Sequence, residues 1–347
     1  MDIEGILNKH KELVDRKFRE YNGLVSRETA AFIVAQEMGI KIEEEVTPEL
    51  KVSQLTLGMR RVALTGKVLT AGPIEEYAKK NGTLGHVQRL MVQDESDRVE
   101  VVFWEAPDEE VKTGQLLKIT GGYVKNLEEI LQLNVSDKGS IEILGFEPLF
   151  LAEILDGAEG ISVRVLVLNV YPDKLFEAKR GGVFRASSIT VFQDAWKARV
   201  VFWENEAEMP GNLQAFQEIE LSNLKASVDY SGLIGLTASA ATTVLVRGEA
   251  EPVETETLTP REIMHPELDI TIRGIVSSIS TESDRLMISL SDQLAEIRLT
   301  VLHKDAIDSL KRLTQGCGLT GRCVDVVQTP SGQLEARSSI WSEFVLE

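Results

Sequence analysis

Trp104 and Trp203 are the residues best placed for a chemical task, because each ends a copy of the same short stretch. Val99-Glu-Val-Val-Phe-Trp-Glu105 returns as Arg199-Val-Val-Phe-Trp-Glu204 and, eroded, as Ile297-Arg-Leu-Thr-Val-Leu-His303. Trp104, Trp203 and Leu302 follow one another at intervals of 99 residues, the length of one small domain. In the first copy Val99, Val101 and Phe103 share one face, and Glu100, Val102 and Trp104 share the other. That period of two is a half-buried strand, with one face for a core and one turned outward. A single outward Trp is expected to pack beneath a loop. Two at equivalent places point to a binding platform, a plane on which flat rings can stack.

Cations near those planes would complete the chemistry. Arg199 stands four residues before Trp203 on the same side of its strand, whereas the first copy has Glu100 there, a charge that repels phosphate. The stretch 172–185 carries Lys174, Lys179, Arg180 and Arg185 against Asp173 and Glu177, with Phe176 and Phe184 between them. The first copy offers Lys67, Lys79, Lys80 and Arg89. Arg298 matches Arg199 in the third copy but has no aromatic partner and is left out of the site. Trp196 and Trp341 lie outside the pattern and are expected to be an unresponsive background to any binding.

The elements that must position these side chains are mainly β. Residues 1–50 form a helical unit, with Ile6, Leu7, Leu13, Val14 and Phe18 at helical spacing. A second helix is capped by Ser26, carries Ala30, Ala31, Ile33, Val34 and Met38 on its apolar stripe, and stops at Gly39. A domain spans 55–148, with strands at 62–69, 86–93, 98–104, 116–124 and 130–135 and a long loop at 71–85. Residues 158–247 replay that order, with 171–182 as the loop. An acidic stretch with Pro252, Pro260 and Pro266, residues 248–267, is expected as a linker. Residues 268–347 are the third copy, in which Ile307, Leu310 and Leu313 mark a helix between the third and fourth strands.

Composition narrows the function. Hydrophobic residues make up 43% of 347, so the chain is globular. No apolar run approaches the ~18 residues of a membrane span, and no signal-peptide pattern is present, which predicts a cytoplasmic protein without a membrane partner. The two cysteines, Cys317 and Cys323, cannot complete a zinc site and are expected to be reduced. His10, His86, His265 and His303 show no metal-pair spacing, and no phosphate-binding loop motif occurs. Neither an enzyme nor a cofactor is expected. The formal net charge of −18 argues against nucleic acid as a whole-molecule property, but a groove is local.

Five strands in this order, with a helix or coil between the third and fourth, describe the five-stranded Greek-key barrel called the OB-fold, here expected three times in tandem behind the helical unit. The Gly-Lys-Val first strand, the Asp-Glu-Ser turn and the Val-x-Phe-Trp-Glu strand resemble archaeal replication protein A. The resemblance covers the three copies, and the helical unit is similar to one preceding the barrels in some large subunits of that family. It implies single-stranded DNA binding in replication, recombination and repair, with little sequence preference. The implied partners are polymerases, recombinases or smaller subunits of the family. It also implies an aromatic on the third strand and another between strands four and five. Trp203 and Tyr230 supply both in the second copy; the first has Trp104 but Leu127, and the third has neither. Lys67 stands where the family often has a basic contact to DNA. The implied site is therefore Trp203, Tyr230, Arg199, Trp104, Lys67, Lys79, Lys80, Arg89, Lys179, Arg180, Phe184 and Arg185, with the second copy leading. The alternative is an interaction scaffold in which a partner subunit holds the DNA.

Overall fold

The computed structural model describes residues 3–21, 25–40, 49–79, 82–105, 110–127, 130–136, 138–177, 181–228, 232–253, 256–282 and 284–347. The chain divides into two compact units, Met1–Glu147 and Pro148–Glu347.

The first unit begins with α1 (Ile3–Lys9), α2 (Lys11–Glu20) and α3 (Arg27–Glu37). Ser26 caps α3 by accepting the Thr29 N–H, and Gly39 turns the chain with a positive φ, both as expected. Ile6, Val14, Ala30, Ala31, Val34 and Ala35 form a small core of their own. Met38, expected on the apolar stripe, is exposed, because it lies past the last helical turn.

The rest of the unit is one sheet: β1 (Arg60–Ala71), β2 (Glu75–Ala78), β3 (Leu84–Gln93), β4 (Arg98–Trp104), β5 (Gln115–Leu127), β6 (Ile130–Val135) and β7 (Ser140–Phe146). Its order is β1-β3-β4-β6-β5, and β1 also pairs with β5, so five strands close into a ring. Val62, Leu64, Leu90, Val92, Val101, Phe103, Leu117 and Leu133 fill it. The stretch 71–85 is not all loop: β2 adds to β3 and brings Tyr77 opposite Gly85, where a Cβ would strike the Tyr77 ring. β7 extends β5 beyond the expected five strands.

The second unit repeats the ring twice. Its first sheet comprises β8 (Ile161–Glu177), β9 (Val183–Gln193), β10 (Trp196–Trp203), β11 (Gln217–Val228), β12 (Ile234–Thr237) and β13 (Thr243–Glu249), closed by the β11–β12 pairing. The expected loop at 171–182 is largely the projecting end of the β8–β9 hairpin, paired as far as Glu177 and Val183. The next sheet comprises β14 (Thr257–Leu258), β15 (Glu267–Glu282), β16 (Arg285–Ser291), β17 (Glu296–Val301), β18 (Gly318–Gln328) and β19 (Leu334–Leu346), closed by β15–β18. Between β17 and β18 runs α4 (Lys304–Ser309), and Leu310 and Leu313 enter the core as their spacing predicts.

The stretch 248–267 is less a linker than expected. β14 pairs with β15, and Leu258 and Ile263 join the third core. Each ring is preceded by such a strap, a single 3-10 turn at Val52–Gln54, Leu151–Glu153 and Pro260–Glu262. Its N-terminal amides are held by a side chain from the end of the second ring strand or the residue just after it. Val52 N–H donates to Asp94 (2.7 Å), Leu151 N–H to Gln193 (2.7 Å) and Arg261 N–H to Asp292 (3.0 Å). Asp94, Gln193 and Asp292 are again 99 residues apart, so the repeat includes the strap. Among the described residues no helix is long and apolar enough to cross a membrane.

Candidate nucleic-acid interface

The outer face of the first ring spans four strands. On β3, Leu90 and Val92 point into the core, which turns Val87, Arg89 and Met91 outward. Register places Val87 opposite Trp104, Arg89 opposite Val102 and Met91 opposite Glu100. On the far side of β4, Val102 pairs with Asn134 and Glu100 with Gln132, and these face Tyr123 and Lys125 on β5. Three aromatics thus share one surface. The Trp104 indole N–H donates to Asn134 Oδ1 (2.9 Å), fixing the ring, and Tyr77 meets it edge to face with centroids 5.0 Å apart. Lys125 Nζ lies 5.0 Å above the Tyr123 ring.

The charges here are interleaved. Lys79 pairs with Glu105 (2.7 Å), and Tyr77 OH donates to the other oxygen of that carboxylate (2.7 Å). The Lys79 ammonium, then the Tyr77 hydroxyl, hold the Glu105 carboxyl below its usual range. Arg89, 49% exposed, stands 3.9 Å from Glu100, which also accepts from Gln132. Glu100 is therefore a partly neutralised member of the face. Three cations, Lys79, Arg89 and Lys125, stand against three carboxylates, Glu75, Glu100 and Glu105, so this face is locally balanced on a strongly acidic chain. Tyr77, Tyr123 and Lys125 were absent from the expected site. The alternation of Tyr123 and Lys125 about Val124 is the signal that could have found the last two. Lys67, expected as a phosphate contact, is only 8% exposed, enclosed where β1 passes between β3 and β5.

The second ring differs. Trp203 (37% exposed) and Phe184 (38%) lie at the outward end of the β9–β10 ladder. Arg185 binds Asp173 and Glu208, each at 2.8 Å; Glu208 first, then Asp173, raises its pKa further. Arg199 shares the outward side of β10 with Trp203 as expected, but its charge is not offered to solvent. Its guanidinium grips Asp325 of β18 with two hydrogen bonds (2.6 and 2.8 Å), and the side chains are 11% and 17% exposed. Burial alone would lower its pKa; Asp325 outweighs burial and raises it. Arg199, expected to face phosphate, faces Asp325 here instead, because the third ring covers it. Trp341, expected as bystander, is 6% exposed in the same contact and donates its indole N–H to Pro172 O (3.1 Å). Tyr230, Lys80, Lys179 and Arg180 lie outside the described residues. Among the described residues no group of three or more His, Cys, Asp or Glu is placed to hold a metal ion.

Over 226 residues, 57% of this chain, the sequence is 23% identical to replication factor A of Methanothermobacter thermautotrophicus. The chain is similar to archaeal replication factor A. Over 93 residues it is 31% identical to the single-stranded DNA binding protein Ssb of Saccharolobus solfataricus. The alignments span 28% and 62% of those two relatives, so the chain covers under two thirds of either. Among solved structures, the OB domain of a Thermoplasma acidophilum protein matches 29% of this chain and 92% of its own length, at 20% identity and a TM-score of 0.25. No protein-family model matches the chain. The resemblance read from the repeated strand is thus borne out by the curated relatives, and OB domains are among the structural neighbours of this mainly β chain.

Proposed function

We propose that this chain is a three-barrel OB-fold protein, with a helical N-terminal unit, that binds single-stranded DNA in replication, recombination and repair. Bases stack on Trp104, Tyr77 and Tyr123 of the first barrel, and phosphates meet Arg89, Lys79 and Lys125. The observation that carries this is the gathering of three aromatics and three cations on one outward barrel face, in a chain similar to replication factor A and Ssb. Stacking platforms read π-faces rather than hydrogen-bond patterns, so sequence preference is weak. A base arriving on Tyr123 displaces the Lys125 ammonium toward its own phosphate. No reacting group or cofactor is required. Polymerases, recombinases and smaller subunits of the same family are the proposed partners.

The second barrel favours the scaffold reading for its own covered face, because Arg199 and Trp341 there serve a protein contact. Trp203 and Phe184, with Tyr230, Lys179 and Arg180, remain its proposed nucleic-acid contacts. The test is an anisotropy titration with oligo-dT and with a duplex of equal length. Oligo-dT is expected to bind much more tightly; equal affinity for the duplex overturns the proposal.

A further inference from the structure

The third barrel rests on the face of the second that corresponds, in the first barrel, to the face of Trp104 and Arg89. Alternation along β9 puts Ile189 and Val191 in the core and turns Ala186, Ser188 and Thr190 outward, yet all three outward residues are fully buried. Their counterparts 99 residues earlier are Val87, Arg89 and Met91. The second barrel thus carries small side chains where the first carries large ones, which lets another body approach closely. Ala186, Tyr171 and Val201 of the second barrel pack with Cys323, Ile340 and Trp341 of the third. Trp203, paired with Ala186, marks the edge of the covered area.

Apart from the Trp341 indole N–H on Pro172 O, the polar chemistry of the contact has a direction. The second barrel supplies cations and neutral donors; the third supplies carboxylates. Arg199 holds Asp325, Lys197 Nζ meets Glu267 (2.5 Å), and Asp269 accepts from Tyr171 OH (2.5 Å) and Asn169 Nδ2 (2.8 Å). These are the interactions an oligonucleotide's phosphates would make with the same donors. The contact is also imperfectly paired. Ser188 Oγ, Thr190 Oγ1 and Arg199 Nε are buried with no hydrogen-bond partner among the described residues, which weakens a docked state. Between β13 and β14, residues 250–253 are exposed. Seven residues, 250 to 256, separate β13 from β14.

We infer that the third barrel is a built-in competitor of nucleic acid. Its carboxylates Glu267, Asp269 and Asp325 stand in for phosphates on the outer face of the second barrel, and that face takes single-stranded DNA only when the third barrel undocks. The inference rests on the proposed DNA-binding function and adds its regulation: the first barrel engages first, and a long enough strand then displaces the third barrel from the second.

Cys323 reports the docked state. It is 3% exposed in the contact, with its sulfur 3.6 Å from Arg199, and burial pushes its thiol up to about 11. In a full-length Cys317→Ser chain it is the sole thiol. Its reaction rate with an aromatic disulfide reagent is measured with and without oligo-dT. At DNA about ten times the Kd of the open form, mass action raises the rate about tenfold. Asp269→Asn with Asp325→Asn should label fast without DNA and bind oligo-dT several-fold more tightly. DNA binding by the parent with Cys323 labelling unchanged overturns the inference and leaves the proposed function standing. Absence of DNA binding by every form, the Asn variant included, overturns both. Should the Asn variant fail to fold, the labelling of the parent decides alone.

Discussion

Removing Asp325 should loosen the second unit by an amount the geometry sets. The Asp325 carboxylate receives two hydrogen bonds from Arg199 and a third from the Asp269 N–H (3.0 Å), with both charged side chains under a fifth exposed. In Asp325→Ala the guanidinium stays buried without its counter-ion, and its Nε has no partner among the described residues to begin with. Breaking one side of a buried pair costs about 3–5 kcal/mol. Because both side chains point out of their own barrels, the cost falls on docking rather than on either barrel's core. At 1.4 kcal/mol per decade, the protection of Cys323 from a thiol reagent should fall roughly a hundredfold to a few-thousandfold, down to the limit of the free thiol. Arg199→Met with Asp325→Leu should keep most of the protection, since a well-packed apolar pair often matches a buried ion pair. The assay is labelling kinetics in the Cys317→Ser chain, with circular dichroism as the control for folding. Unchanged protection in Asp325→Ala would show that the pair does not hold the barrels together.

The first barrel's aromatics should each matter to oligo-dT affinity: Trp104→Ala and Tyr123→Ala are expected to lose about 1–3 kcal/mol apiece by anisotropy, while Trp104→Phe keeps most of it. Arg89→Ala and Lys125→Ala should leave stacking in place and flatten the log–log salt dependence by about 0.7 for each phosphate no longer neutralised. Acid should unstrap the third barrel. Burial raises the Asp292 pKa, but the amides of Ala295, Arg261 and Leu294 outweigh it and hold the carboxyl down to about 2. A group with a depressed folded pKa stabilises above its unfolded value near pH 4 and loses that contribution as pH falls through about 2. Thermal melting between pH 2 and pH 5 should therefore show a decline that Asp292→Asn makes shallower.

Much of this architecture was legible because local pattern and repeat carry the same information. The alternation in 99–104 places β4, and its echoes at 199–203 and 297–302 place β10 and β17, each in the same slot of its ring. Ser26 and Gly39 are short-range signals and behave as such. The straps were hidden: Pro260 reads as a linker proline, yet it opens a 3-10 turn whose amides answer to Asp292, 31 residues away from Arg261. The site was half legible. Period two says which residues point outward, so Trp104, Arg199 and Trp203 were assigned to the correct face. It does not say what covers that face. The partner of Arg199 lies 126 residues on, in a carboxylate with no local mark. Tyr77 escaped because a four-residue edge strand in a lysine-bearing stretch reads as loop.

Photocrosslinking with a halogenated oligo-dT, followed by peptide mapping of the full chain, shows where the strand lies. Adducts are expected on Trp104, Tyr77 or Tyr123 with short oligonucleotides, and around Ala186 to Arg199 only with long ones. Adducts that avoid the first barrel at every length would contradict the proposed function.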